Sequence, residues 1–84
     1  MSPQELDNKV YDILCELTTV ARADLRPEFT LSGDLGMDSV SAMEMLGMLD
    51  EALGVEIDIE DTFSVKTVEQ VLELVRARVP RAAR

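Results

Sequence analysis

Gly33-Asp34-Leu35-Gly36-Met37-Asp38-Ser39-Val40 is the stretch on which the fold turns. Its two glycines permit tight backbone turns, and residues that start helices follow at once. Asp38 can accept from the first free N–H groups of a helix, which puts Ser39 on the first turn with its hydroxyl at the helix edge. A helix therefore begins at or just after Asp38-Ser39. Val40, Met43, Leu46, Leu49 and Leu53 give it an inward apolar stripe, and Gly54 supplies a C-terminal stop. Ser41-x-x-Glu44 is a rival capping box two residues later; the place of Val40 in the stripe favours the earlier start. Gly47 inside this helix costs about 1 kcal/mol against alanine and marks a close approach of another backbone or a softer helix.

Upstream, residues 20 to 38 hold no sustained period and contain Pro27, Gly33 and Gly36. A connection this long is uncommon in a small domain unless its own side chains pin it. Leu25, Phe29, Leu31 and Leu35 are the expected pins, with a brief helical turn among them. Before the loop, Ser2-Pro3-Gln4-Glu5 has the form of a capping box with proline at the first helical position. Leu6, Val10, Ile13, Leu14 and Leu17 then make one helical stripe, so helix one is expected over 3–19. Downstream, residues 55–59 alternate like a strand but have no strand to pair with, and read as a loop into a short helix near 59–63. Thr67-x-x-Gln70 is another capping box ahead of Val68, Val71, Leu72, Val75 and Val79 at helical spacing. Pro80 ends that helix, and 80–84 reads as a flexible tail. The fold expected is all-α: one domain over 1–84 with its core in 3–79. It is a small four-helix bundle of three major helices and one short one, with a long loop between helices one and two.

Composition bounds the function. Eighty-four residues leave no room for a second core. With aromatics at only 4%, the core must be aliphatic. Seventeen acids against eight bases give a formal charge of −9, and from Pro27 to Val65 there are ten acids and no base. Nucleic acid and anionic lipid need a basic face and are argued against; a basic protein surface is the favoured partner. There is no histidine and one cysteine. Serine–histidine and cysteine–histidine catalysis are thereby excluded, as are histidine or multi-thiolate metal sites. An EF-hand loop from Asp50 fails, because Ala52 and Gly54 stand where oxygen ligands are needed. The sequence lacks an apolar signal core and a run long enough to span a membrane. A cytoplasmic, free-standing monomer is expected, and a single unpaired cysteine suits a reducing compartment.

The segment Gly33 to Val40 resembles the D-S-L motif of acyl carrier proteins. The likeness continues through residues 40–46 as the second helix. It also covers Asp50-Glu51-Ala52-Leu53-Gly54-Val55-Glu56-Ile57, which resembles the family's acidic helix ending, and Phe63-Ser64-Val65-Lys66-Thr67-Val68 ahead of the last helix. It spans nearly the whole chain to about Val79. The resemblance implies a non-catalytic carrier with a 4′-phosphopantetheine arm on Ser39, set among Gly36, Met37 and Asp38. An external phosphopantetheinyl transferase would supply the activation that this histidine-free chain lacks. The arm would hold acyl groups as thioesters for a ketosynthase, an acyltransferase or related enzymes with basic docking patches. Glu44, Asp50, Glu51 and Glu56, with Val40 and Met45, would form the docking face. Met43, Leu46, Phe63, Val68 and Leu72 would line an acyl pocket. A helix N-terminus favours a phosphate, although Asp38 is a like charge beside it.

Val40 in place of leucine after the serine, Gly47, the methionines at 37, 43, 45 and 48, and the arginine-bearing tail depart from housekeeping fatty-acid carriers. They point towards polyketide biosynthesis. A peptidyl or aryl carrier of a nonribosomal system shares the fold and the serine, but Gly36-Met37-Asp38 stands where those carriers more often have paired glycines. The plain alternatives are an unmodified acidic interaction module with Ser39 as a mere helix cap, methionines that only fill the core, and Cys15 as a partly buried helix residue.

Overall fold

The computed structural model describes residues 2–79 and contains four helices: α1 (Pro3–Leu17), α2 (Ser39–Leu53), α3 (Ile59–Ser64) and α4 (Val68–Arg78). The expected tail beyond Val79 lies outside the described residues. The bundle follows the sequence expectation, with α1 packed against both α2 and α4 and α3 resting on α2.

Each helix end has a local cause. Ser2 Oγ accepts from the Glu5 N–H at 3.2 Å to start α1. The reciprocal half of that capping box is missing: the Glu5 carboxylate accepts from the Ser2 hydroxyl at 3.3 Å. α1 stops at Leu17, two residues before the expected end. Thr18 turns extended there, and its hydroxyl donates back to the Leu14 carbonyl at 2.8 Å, occupying a terminal acceptor. α2 ends at Gly54, whose φ of 66° is the left-handed cap that only glycine adopts without strain. The Thr67–Gln70 capping box is complete.

The core is aliphatic. Leu6, Val10, Ile13 and Leu14 of α1 meet Met45, Leu49 and Leu53 of α2, and Val68, Val71, Leu72 and Val75 of α4. The long loop contributes Leu25, Leu35 and Met37 as buried residues, with Phe29 and Leu31 half-buried against them. In place of the brief helical turn it has a series of bends and turns.

The apolar stripe of α2 differs from the expected one. Val40 is 64% and Met43 60% exposed, whereas Met45 is 4% exposed. This helix carries apolar residues on almost every side, so spacing alone allows several registers. The one chosen turns Met45, Leu49 and Leu53 towards α1. The helix still starts at Ser39, because Asp38 caps it and not because Val40 is buried. Gly47 has no neighbour within 4 Å of where a Cβ would stand, which rules out a close backbone approach.

Candidate functional site

The loop reaches the start of α2 by way of α4. Leu31 N–H donates to the Lys66 carbonyl at 2.9 Å, Val68 N–H to Phe29 at 3.0 Å and Glu69 N–H to Pro27 at 2.9 Å, around a Thr30–Thr67 antiparallel bridge. Asp34 then closes a turn on Thr30. Its carboxylate accepts from the Thr30 N–H at 2.8 Å, while Asp34 and Leu35 N–H groups both donate to the Thr30 carbonyl at 3.1 Å. A Cβ at Gly33 would sit 2.7 Å from the Thr30 hydroxyl and displace the oxygen that accepts from the Asp34 N–H. Gly36, at φ 68°, reverses the chain. Leu35 and Met37 drop into the core on either side of it, and Met37 N–H donates to the Leu31 carbonyl at 2.9 Å. Asp38 and Ser39 are left at the surface on a fixed base.

Asp38 Oδ1 accepts from the Ser41 N–H at 2.9 Å. That bond, reinforced by the Ser41 hydroxyl, holds the Asp38 carboxyl below its ordinary range. Ser39, the first helical residue, is exposed. Among the described residues, no backbone carbonyl accepts from the Ser39 or Val40 N–H, and the carboxylate nearest these donors is that of Asp38, which the Val40 N–H helps to keep ionised.

A cavity of about 610 Å³ lies between α2, α3, α4 and the loop, with Ser39 among the residues that line it. Met43, Leu46 and Phe63 line it, and Phe63, 73% exposed, forms its rim with Met43. Val68 and Leu72 do not line it; both are buried in the core, and the α4 residues facing the cavity are Val71 and Leu74. Leu74 belongs to a second phase of the α4 period, overlooked beside the stronger core stripe. Glu44, Asp50, Glu51 and Glu56 are all exposed, as is Val40. Met45 is buried and cannot belong to a docking face; Met43 occupies the surface position expected of it. No group of three or more acids or thiols among the described residues could hold a metal ion. None of the described helices is long and apolar enough to cross a membrane.

A family model described as a phosphopantetheine attachment site matches residues 8–75. The chain belongs to the acyl carrier protein family. The acyl carrier protein of Chlorobium phaeovibrioides is 33% identical over 75 residues, covering 89% of this chain and 96% of the relative. That of Chlorobium luteolum gives the same figures, and that of Chlorobium phaeobacteroides is 32% identical over the same shares. As an acyl carrier protein the chain is a carrier and not a catalyst, and 4′-phosphopantetheine is its covalently attached group. The start of α2 fits that group: an exposed hydroxyl, first-turn N–H groups that no backbone carbonyl takes and a turn that fixes both. Cys15, on α1, is half-buried, and burial pushes its thiol pKa up.

Proposed function

We propose that Ser39 carries the phosphopantetheine arm and that this carrier serves a polyketide-type assembly system. The observation that carries the reading is the exposed first-turn hydroxyl of α2 at the edge of a cavity with apolar walls. When bound, the arm supplies a thiol that holds acyl groups as thioesters. The chain's own residues do the rest. Asp38 orders the first turn, so that the Ser39 hydroxyl meets the transferase in one orientation. The positive end of the helix dipole favours the phosphodiester once it is formed, against the like charge of Asp38. Met43, Leu46 and Phe63 offer an apolar path for an acyl chain away from water.

Docking is a matter of charge around a small apolar patch. Val40, Met43 and Phe63 are exposed within the region that has ten acids and no base. Glu44, Asp50, Glu51 and Glu56 surround α2 with negative charge that basic faces of the transferase, a ketosynthase or an acyltransferase would meet at steered rates. The residues supporting a polyketide role are Val40 after the serine, Gly47 and the methionine-rich second helix. The reading places the protein in the cytoplasm as a monomer of one domain.

Loading the arm separates the pathways. Holo protein should accept a malonyl group from malonyl-coenzyme A through an acyltransferase, and should not accept an adenylated amino acid from a nonribosomal ligase. The reverse preference would contradict the proposal. Glu44→Lys and Glu51→Lys should each slow acyl transfer to the partner several-fold at low salt, less at high salt, with circular dichroism unchanged. Equal rates in wild type and both variants would remove α2 as the recognition face.

A further inference from the structure

α3 has no core of its own. None of Ile59–Ser64 is buried, and among the described residues its helix packs closely only on α2. The cavity separates it from α4: Ile59, Thr62 and Phe63 line one side, Val71 and Leu74 the other. Among the described residues, Arg78 bonds across the gap. Arg78, in the last turn of α4, donates from Nη1 to Asp61 Oδ2 at 3.0 Å and from Nη2 to Oδ1 at 3.3 Å. This is a bidentate fork, the arginine–carboxylate geometry with the best-defined orientation. Asp61 Oδ2 also accepts from the Asp58 N–H at 3.1 Å, so the carboxylate that closes the first turn of α3 is the one gripped by α4. The Arg78 guanidinium holds that carboxyl below its usual range.

Helical spacing gives the location. Val71, Leu74 and Arg78 follow one another at intervals of three and four on one face of α4, which puts Arg78 one turn beyond the last α4 residue lining the cavity. Ser39 and Lys66 also line the cavity; Lys66 precedes α4, and Met37, two residues before Ser39, bonds to Leu31, which in turn bonds to Lys66, so both lie towards the start of α4.

We propose that the Asp61–Arg78 pair is a clasp that holds α3 across the cavity and limits the length of apolar chain the cavity admits. A chain running from the Ser39 end along α4 would press last on the wall that this pair holds in place. Since α3 has no buried side chain to anchor it, breaking the fork frees it to swing outward on α2. Asp61 and Arg78 are positioning residues: they touch neither the arm nor its cargo, and act through the wall formed by Ile59 and Phe63. The consequence for an acyl chain rests on the proposed attachment at Ser39. The clasp itself is a property of the unmodified protein and is tested there.

The ion pair is partly exposed, so its loss should raise opening of α3 by about two- to fivefold. The control is Arg76, which forms a comparable fork with Asp7 of α1 through Nε at 3.1 Å and Nη2 at 2.5 Å. Amide hydrogen exchange and binding of the neutral apolar dye Nile red are measured on unmodified wild type, Arg78→Gln and Arg76→Gln. Arg78→Gln should speed exchange across α3 by that factor and tighten dye binding, with α1 unchanged; Arg76→Gln should leave α3 as in wild type. The clasp is overturned if α3 exchanges equally in wild type and Arg78→Gln, if Arg76→Gln speeds it as much, or if wild-type α3 amides are already unprotected. On protein loaded with saturated chains of increasing length, Arg78→Gln should move the onset of α3 chemical-shift changes to longer chains. Failure to load at Ser39 would sink the attachment reading and leave the exchange result standing.

Discussion

The amino ends of α2 and α4 are made from the same local chemistry and put to opposite uses. Each has an oxygen-bearing cap, Asp38 or Thr67, that accepts from the third helical N–H. At α4 the loop takes the remaining donors, with Val68 and Glu69 bonded to the carbonyls of Phe29 and Pro27. At α2 no backbone carbonyl arrives, and the Ser39 hydroxyl stands exposed. The chain approaching α2 gives its Pro27 and Phe29 carbonyls to α4 and its Thr30 and Leu31 carbonyls to its own turns. One helix end anchors the fold, and the other is the attachment site in the function proposed above.

Removing the two caps should separate these uses. Asp38→Ala and Thr67→Ala should each cost about 1 kcal/mol in urea unfolding. Only Asp38→Ala should also slow modification by the transferase, by about tenfold or more, because the hydroxyl loses its fixed orientation. If Thr67→Ala slowed modification equally, the distinction between the two ends would fail.

Acid sharpens the same contrast. The folded-state pKa of Asp38 lies below its unfolded value of about 3.9, chiefly because the Ser41 N–H donates to the carboxylate. The stabilisation by this cap is therefore fully present above that unfolded value and is lost as pH falls through the folded one. The Thr67–Gln70 box contains no titrating group. Below about pH 4 the Ser41 amide should shift and lose exchange protection before the Gln70 amide does; simultaneous loss would contradict the account.

The smallest effect expected is at Gly47. A methyl there meets no atom within 4 Å, so Gly47→Ala should stabilise the protein by about 0.5–1 kcal/mol and leave modification untouched. Destabilisation would show that the exposed face of α2 is more tightly constrained than its surroundings indicate.

Much of this was legible before any coordinates. The caps at Ser2, Asp38 and Thr67, the stop at Gly54 and the stripes of α1 and α4 are local signals, and the helices begin where those signals stand. Ser39 stood out because a glycine-containing turn and a capping acid precede it. The phase of α2 was not legible. With apolar residues at positions 40, 42, 43, 45, 46, 48 and 49, the sequence supports several inward faces, and only packing against α1 selects Met45 over Met43. The walls of the cavity were hidden for a related reason. Val68 and Leu72 share the core stripe of α4, whereas Leu74 faces the gap left by α3. The Asp61–Arg78 fork joins residues 17 apart in sequence and has no local signature.

The central claim is that Ser39 is the attachment point, and intact-protein mass measures it directly. Incubated with coenzyme A and a phosphopantetheinyl transferase of broad specificity, the wild-type chain should gain the mass of a single phosphopantetheine arm. Ser39→Ala should gain nothing while keeping its helical circular dichroism. An unmodified wild type, or a Ser39→Ala chain that still takes the arm, would contradict the account.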